Sequence, residues 1–220
     1  MSTVALSPST LQILKNFATI NTSIVITKGN TLRTISNAEN ILASANVEES
    51  FPRTFAIYDL NQFLAGLSLF DSPSLVFDND DYVTITGGKS RVKYYFSDPE
   101  ITLKTAPDKK VNYPGSDIQF TLSAEDISSI QKAKGIYDIP DLNISTDEEI
   151  VLSVRDNESA TSNTYDMIVP GTFEGEHSLN LKVENIRLLQ GDYQVGVSKH
   201  FITEWKHLNR DLTYYIALEP

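Results

Sequence analysis

Three groups of residues in this sequence have types that could do chemistry. The run Gly-Gly-Lys-Ser at 87–90 has the ending of a phosphate-binding loop, in which backbone amides and a lysine cradle a nucleotide. That loop needs a leading glycine where Val83 stands and a helix after it, whereas a strand pattern follows, so a β-turn is the expectation. The acidic runs Asp78-Asn79-Asp80-Asp81 and Asp147-Glu148-Glu149 offer oxygen ligands for a hard cation. Neither has the alternate-residue spacing and central glycine of a calcium loop, and both read as solvated turns. The three histidines, His177, His200 and His207, do not pair at i, i+4 on a helix, and His200 and His207 fall on opposite faces of a strand pattern. There is no cysteine and no serine in a nucleophile elbow. The expectation is a protein that is not an enzyme, with no cofactor and no metal. A hydrolase using His177 or His200 as base is a minor alternative.

The 220 residues suit one large domain or two of about half that length, and 40% hydrophobic content is enough for a real core. The absence of cysteine, and of an apolar signal segment in "MSTVALSPS", reads as an intracellular setting. With 29 acidic against 18 basic residues the net charge is −11, which disfavours a conventional high-affinity grip on DNA phosphates.

The most apolar stretch is "FAIYDLNQFLAGLSLF" at 55–70, with Asp59 its one charge. It is too short to cross a membrane, which takes about 20 apolar residues. Phe55 to Tyr58 read as a buried strand, Asp59 as an N-cap, and Leu60, Phe63, Leu64 and Leu67 as the apolar face of a helix. Its outer face, Asn61, Ala65 and Ser68, is small and uncharged.

The chain also looks duplicated. "LSPSTLQILKNFATIN" from Leu6 resembles "LSAEDISSIQKAKGIYD" from Leu122, and each reads as a helix of about three turns followed by strands around a polar turn. The strand-and-helix stretch at 55–70 is matched by "LNLKVENIRLLQGDYQVGV" from Leu179, with Asn185 as cap and Ile186 and Leu189 on the apolar face of a fourth helix. The spacing from helix to helix differs by about ten residues between the copies, which assigns "NESATSNTYDMIVPGTFEGEH" at 157–177 to an inserted loop in the second. A hairpin turns at Gly87 and Gly88, and the last strand places Leu212, Tyr214, Ile216 and Leu218 on one face. The segment 97–116, with Pro99, Pro107, Pro114, Lys104, Lys109 and Lys110, reads as a connector. The expected architecture is α+β: two similar domains, 1–105 and 117–220, joined by a connector at 106–116, each with antiparallel sheet and two helices on one side.

This arrangement, with "LKNFATIN" at 14–21, "AIYDLNQFL" at 56–64, Asp98-Pro99 and Ala106-Pro107 with Lys109, "FEGEH" at 173–177 and "ALE" at 217–219, resembles the DNA sliding clamps. It is most similar to the polymerase processivity factors of the T-even type bacteriophages. The resemblance implies a homotrimeric ring with helices lining a hole through which duplex DNA passes. It implies loading by an ATP-dependent clamp loader, tethering of the replicative DNA polymerase, and support of late transcription through RNA polymerase factors, in the cytoplasm of an infected host cell. It also implies that the helices face DNA, for which the candidates are Lys15, Asn61, Ser68, Lys132, Lys134 and Arg187. A partner-peptide groove beside the connector has Val111, Tyr113, Ile216 and Leu218 as candidates. If all four of the basic candidates met phosphates, binding would depend on salt with a slope of about −3.6. The alternative is a non-enzymatic β-rich structural or binding module of a virus particle.

Overall fold

A computed structural model describes residues 2–98, 104–109 and 111–220. Pro99 and Lys110 of the expected connector lie outside the described residues. The chain divides into two compact units, residues 1–108 and 109–220.

In the first unit, strand β1 (Ser2–Ala5) leads into helix α1 (Pro8–Ile20). Ser7 caps that helix by accepting from the Thr10 amide, Pro8 fills the first turn, and Ile13, Leu14, Phe17, Ala18 and Ile20 bury one face. Strands β2 (Ile24–Ile26), β3 (Gly29–Ile35), β4 (Ile41–Phe51) and β5 (Phe55–Ile57) follow. Asp59 then caps helix α2 (Leu60–Leu67), accepting from the Gln62 amide at 2.9 Å. Strands β6 (Ser74–Phe77), β7 (Tyr82–Gly87) and β8 (Ser90–Tyr95) complete the unit. All pairings are antiparallel: β1-β6-β7-β8 form one sheet, while β2 pairs with β5 and β3 with β4. The four apolar residues read as the buried face of α2 are buried, while Asn61, Ala65 and Ser68 are exposed.

The second unit repeats this order. Strand β9 (Ile118–Leu122) leads into α3 (Ala124–Tyr137), then β10 (Asp141–Thr146), β11 (Ile150–Arg155), β12 (Tyr165–Val169), β13 (Gly171–Phe173) and β14 (His177–Lys182). A single 3₁₀ turn, Val183–Asn185, precedes β15 (Tyr193–Ser198), β16 (Ile202–His207) and β17 (Leu212–Ala217). Strands β9, β15, β16 and β17 lie side by side as β1, β6, β7 and β8 do, and β12-β11-β10-β14 form a second sheet.

Two expectations change. The segment 157–177 is not simply an inserted loop: it carries β12 and β13, which follow β11 as β4 follows β3. Strand β4 runs unbroken for 11 residues, whereas Pro170, which has no amide to donate, separates β12 from β13. Among the described residues, the expected fourth helix is replaced by the 3₁₀ turn at Val183–Asn185. Only residues 183–192 join β14 to β15, while residues 58–73 join β5 to β6, so the second connection is six residues shorter. Two turns of helix advance about 12 Å, and the shorter connection cannot make them and still return to the sheet. Between α3 and residues 188–191 a cleft of about 270 Å³ remains.

The two long helices have their first amides satisfied differently. In α3, Asp126 reaches back to the Ser123 amide at 2.9 Å, completing a capping box. The corresponding position in α1 is Thr10, and Glu49 from β4 takes its place, accepting from the Ser7 amide and the Thr10 hydroxyl. Burial opposes ionisation of Glu49, but the hydrogen bonds from Thr10 and Ser7 outweigh it and hold its carboxyl below the usual range. A depressed folded-state pKa gives stability that is present above pH 4.5 and lost as pH falls through the folded value. Glu49→Gln is expected to cost about 1–2 kcal/mol at pH 7. In urea titrations it should also lose less stability than the parent on acidification below pH 4.5.

Candidate functional site

The exposed faces of the helices form one candidate surface in each unit. On α1, Gln12, Lys15 and Thr19 fall on the exposed side, and the helix contains no acidic residue. On α2, Asn61, Gln62 and Ala65 are exposed and no residue is charged. Ser68 is exposed at the end of α2, with its hydroxyl donating to the Ala65 carbonyl at 2.7 Å.

On α3, Lys132 is exposed and Lys134 is half-buried. Two residues along a helix is about 200° of rotation, so these lysines do not share a face. Lys134 lies along Ile127 and Ile130, beside the buried stripe, which removes it from the outward set. Arg187 is exposed, but on the non-helical run after the 3₁₀ turn, where its Nε donates to the Glu184 carbonyl at 3.0 Å. Gln131 donates to the neighbouring Ile186 carbonyl at 3.0 Å, so an α3 amide steadies the run that replaces a helix. The acidic excess lies elsewhere, much of it in the turns at 78–81 and 147–149, where Asp80 pairs with Arg53.

The second surface is where residues 111–116 meet the solvent-facing side of the sheet β9-β15-β16-β17. Val111 and Tyr113 are half-buried. The Tyr113 hydroxyl lies 3.0 Å from Ser116 Oγ, and its ring tilts against that of Tyr215 with centroids 6.2 Å apart. Tyr215 donates to Glu204 at 3.1 Å, and Glu204 pairs with Lys206 at 2.8 Å. Burial first, and the carboxylate of Glu204 second, push the Tyr215 hydroxyl up to about 12. The expectation for Ile216 and Leu218 is corrected: they are 0% and 5% exposed and belong to the core. Strand alternation puts Tyr215 on the outer face instead, a signal present in the opposite parity of the same strand.

The other chemical candidates resolve into structure. Gly87 pairs with Ser90 across the β7–β8 hairpin, so the turn is Gly88-Lys89, one residue later than expected, with Gly88 at φ 61°. The His177 ring is 2.7 Å from the Glu174 carbonyl, and His200 is exposed in the β15–β16 turn. His207 is buried, and burial pushes its pKa below the ordinary imidazole value. Among the described residues, no group of three or more His, Asp or Glu side chains is placed to hold a metal, and no helix is long and apolar enough to cross a membrane.

Comparison with known proteins gives these surfaces a context. Residues 7–100 match the DNA polymerase processivity factor family. The chain is similar to the sliding clamp of Vibrio phage KVP40, 32% identical over 97% of this chain and 98% of that protein. It is similar to the sliding clamp of Enterobacteria phage T4, 28% identical over 97% of this chain and 96% of the other. Its fold is that of the proliferating cellular nuclear antigen from Entamoeba histolytica, with a TM-score of 0.72 at 12% identity, covering 96% of this chain and 94% of that one.

The seat of the connector depends on Gly196. A Cβ there would lie 2.2 Å from Ser116 Oγ and 3.0 Å from the Tyr113 hydroxyl. Gly196→Ala is therefore expected to lift residues 113–116 off β15, at a cost of about 1–3 kcal/mol. Faster proteolytic cleavage near Tyr113, with the rest of the second unit intact, would be the readout.

Proposed function

The chain belongs to the sliding clamps, the DNA polymerase processivity factors, and from that premise we propose how its own surfaces carry out the work. Three copies close head to tail into a ring, the exposed faces of the helices turn toward the hole, and duplex DNA passes through it. Retention is topological, so no tight phosphate grip is required and a net charge of −11 per chain is tolerated. The observation that carries this reading is the full-length similarity to sliding clamps. Lys15, Asn61, Ser68, Lys132 and Arg187 are the DNA-facing set that remains after Lys134 is set aside.

The closure we favour joins two free sheet edges. Strand β8 ends one sheet and carries exposed Arg91, Lys93 and Tyr95, while β12 ends another and carries exposed Asp166 and Ile168. Unpaired edges with exposed apolar side chains invite a further strand, and these two are opposite in charge. Because the two edges differ, β8 of one copy meets β12 of the next in a heterologous contact, which closes into a ring when the rotation permits.

The remaining roles follow the same reading. The protein acts by position and catalyses nothing itself. The replicative DNA polymerase inserts a short peptide with apolar anchors against Val111, Tyr113 and Tyr215, where aromatic contacts supply most of the binding energy. An ATP-dependent loader opens the ring at primer junctions, RNA polymerase late-transcription factors use the same tether, and all of this takes place in the cytoplasm of the infected host cell.

Sedimentation equilibrium should give a mass near three times 24.5 kDa. Arg91→Glu or Asp166→Arg alone should shift the population toward monomer, and the two together should restore the trimer. In primer extension on a singly primed circle, with loader and polymerase, the ring should lengthen products. A monomer at all concentrations together with unchanged product length would overturn the reading.

A further inference from the structure

We infer that the outer edge of β1 is a docking site for an extended basic peptide of a partner protein, which adds to the four-stranded sheet as a further strand. The observation is a difference between the two units. Strand β9 lies between β15 and β13, whereas its counterpart β1 has β6 on one side and ends its sheet on the other. In the second unit that edge is covered by the chain's own Gly171–Phe173, paired antiparallel with residues 118–120. The segment standing in that place in the first unit is the end of β4, which belongs to a different sheet from β1. It reaches the chain just after β1 through a side chain, Glu49, which accepts from the Ser7 amide. The covering strand of the second unit is thus a template for what the first unit leaves open.

The backbone of β1 is oriented for such a ladder. The Leu6 amide donates to the Pro73 carbonyl at 3.2 Å, and with the register Val4↔Leu75 and Ser2↔Phe77 this turns the backbone groups of the even-numbered residues toward β6. Those of Thr3 and Ala5 point the other way. Ser7 is next in that outward series, and the Glu49 carboxylate already supplies its amide with the acceptor that a neighbouring strand would give. Between residues 3–7 and 48–50 lies an open groove of about 490 Å³, within the size range of ligand-binding clefts. Among the described residues, the ionisable side chains lining it are Glu48 and Glu49. Glu49 is engaged with Ser7 and Thr10, so exposed Glu48 is the carboxylate left to meet a lysine or arginine. Hydrogen bonds to Thr3 and Ala5 hold the backbone of an added strand whatever its sequence, and the acidic wall selects a basic one. Strands β1 and β8 are opposite ends of one sheet, so ring closure through β8 leaves this edge unpaired.

The test is selection of short peptides from a randomised display library on the full chain, followed by hydrogen exchange of the protein with the synthetic peptides bound. Some of the selected peptides are expected to carry lysine or arginine and to slow exchange at the Thr3 and Ala5 amides. Ala5→Pro removes an outward donor without touching the β6 ladder, and should weaken those peptides about tenfold. Glu48→Lys, at an exposed position that folding does not depend on, should weaken them about fivefold. Thermal unfolding of each variant at the parent temperature shows that the loss is in binding, and Glu48→Lys decides the matter if Ala5→Pro unfolds. A selection in which no peptide protects Thr3 and Ala5, or in which the protecting peptides bind Glu48→Lys as they bind the parent, overturns the inference. Self-association of the parent through this edge, lost in Ala5→Pro, would make a second copy the occupant and overturn it as well.

Discussion

A helix can lie on one face of a sheet, close to its start, only if the amides of its first turn find acceptors away from water. Both long helices here begin one or two residues after a strand, and both take side-chain acceptors for that job. Ser7 and Ser123 each take the amide of the third helical residue, Thr10 and Asp126. The amide of the cap itself is satisfied by Glu49 in one unit and by Asp126 in the other. The geometry kept is strand, serine, helix; the source of the second carboxylate has changed. In the first unit that carboxylate comes from β4, so capping α1 also ties a distant strand to it, whereas α3 is capped by its own first turn.

Features governed by neighbours in sequence are legible from residue order alone. The serine caps of α1 and α3, the Asp59 cap of α2 and the apolar spacing behind it are local, and the outward Asn61 and Ser68 follow from the same periodicity. Features that depend on the return path of the chain are not legible in that way. "NIRLLQG" has the residue types of a capped helix, yet its connection is too short to hold one, and the length between strands is known only once the strands are placed. The apparent insertion hides β12 and β13 because Pro170 interrupts their pattern. In the last strand the alternation reads correctly, but its sense does not follow from the pattern. The apolar residues face the core, and Tyr215 stands on the opposite face against the Tyr113 ring.

The distribution of charge is as informative as its sum. The described α-helices carry Lys15, Lys132 and Lys134 against Glu125 and Asp126, so they are close to neutral on a chain that is strongly acidic. Of those acids, Asp126 is held by Ser123 in the capping box. A surface selected to bind phosphates tightly would concentrate arginine and lysine; a surface exposed only to solvent would share the acidity of the rest. The near-neutral helices do neither.

The two units therefore differ where function tolerates difference and agree where assembly does not. Strand order is the same in β1-β6-β7-β8 and β9-β15-β16-β17, because each strand's hydrogen bonds require both neighbours and a change in order would break a whole ladder. Helix content is not the same, since removing the helix between β14 and β15 shortens a connection without disturbing any pairing. The sheet order is what places β8 and β12 at free edges and so makes closure by unlike edges available. Removing a helix from one connection leaves every ladder on either side of it intact.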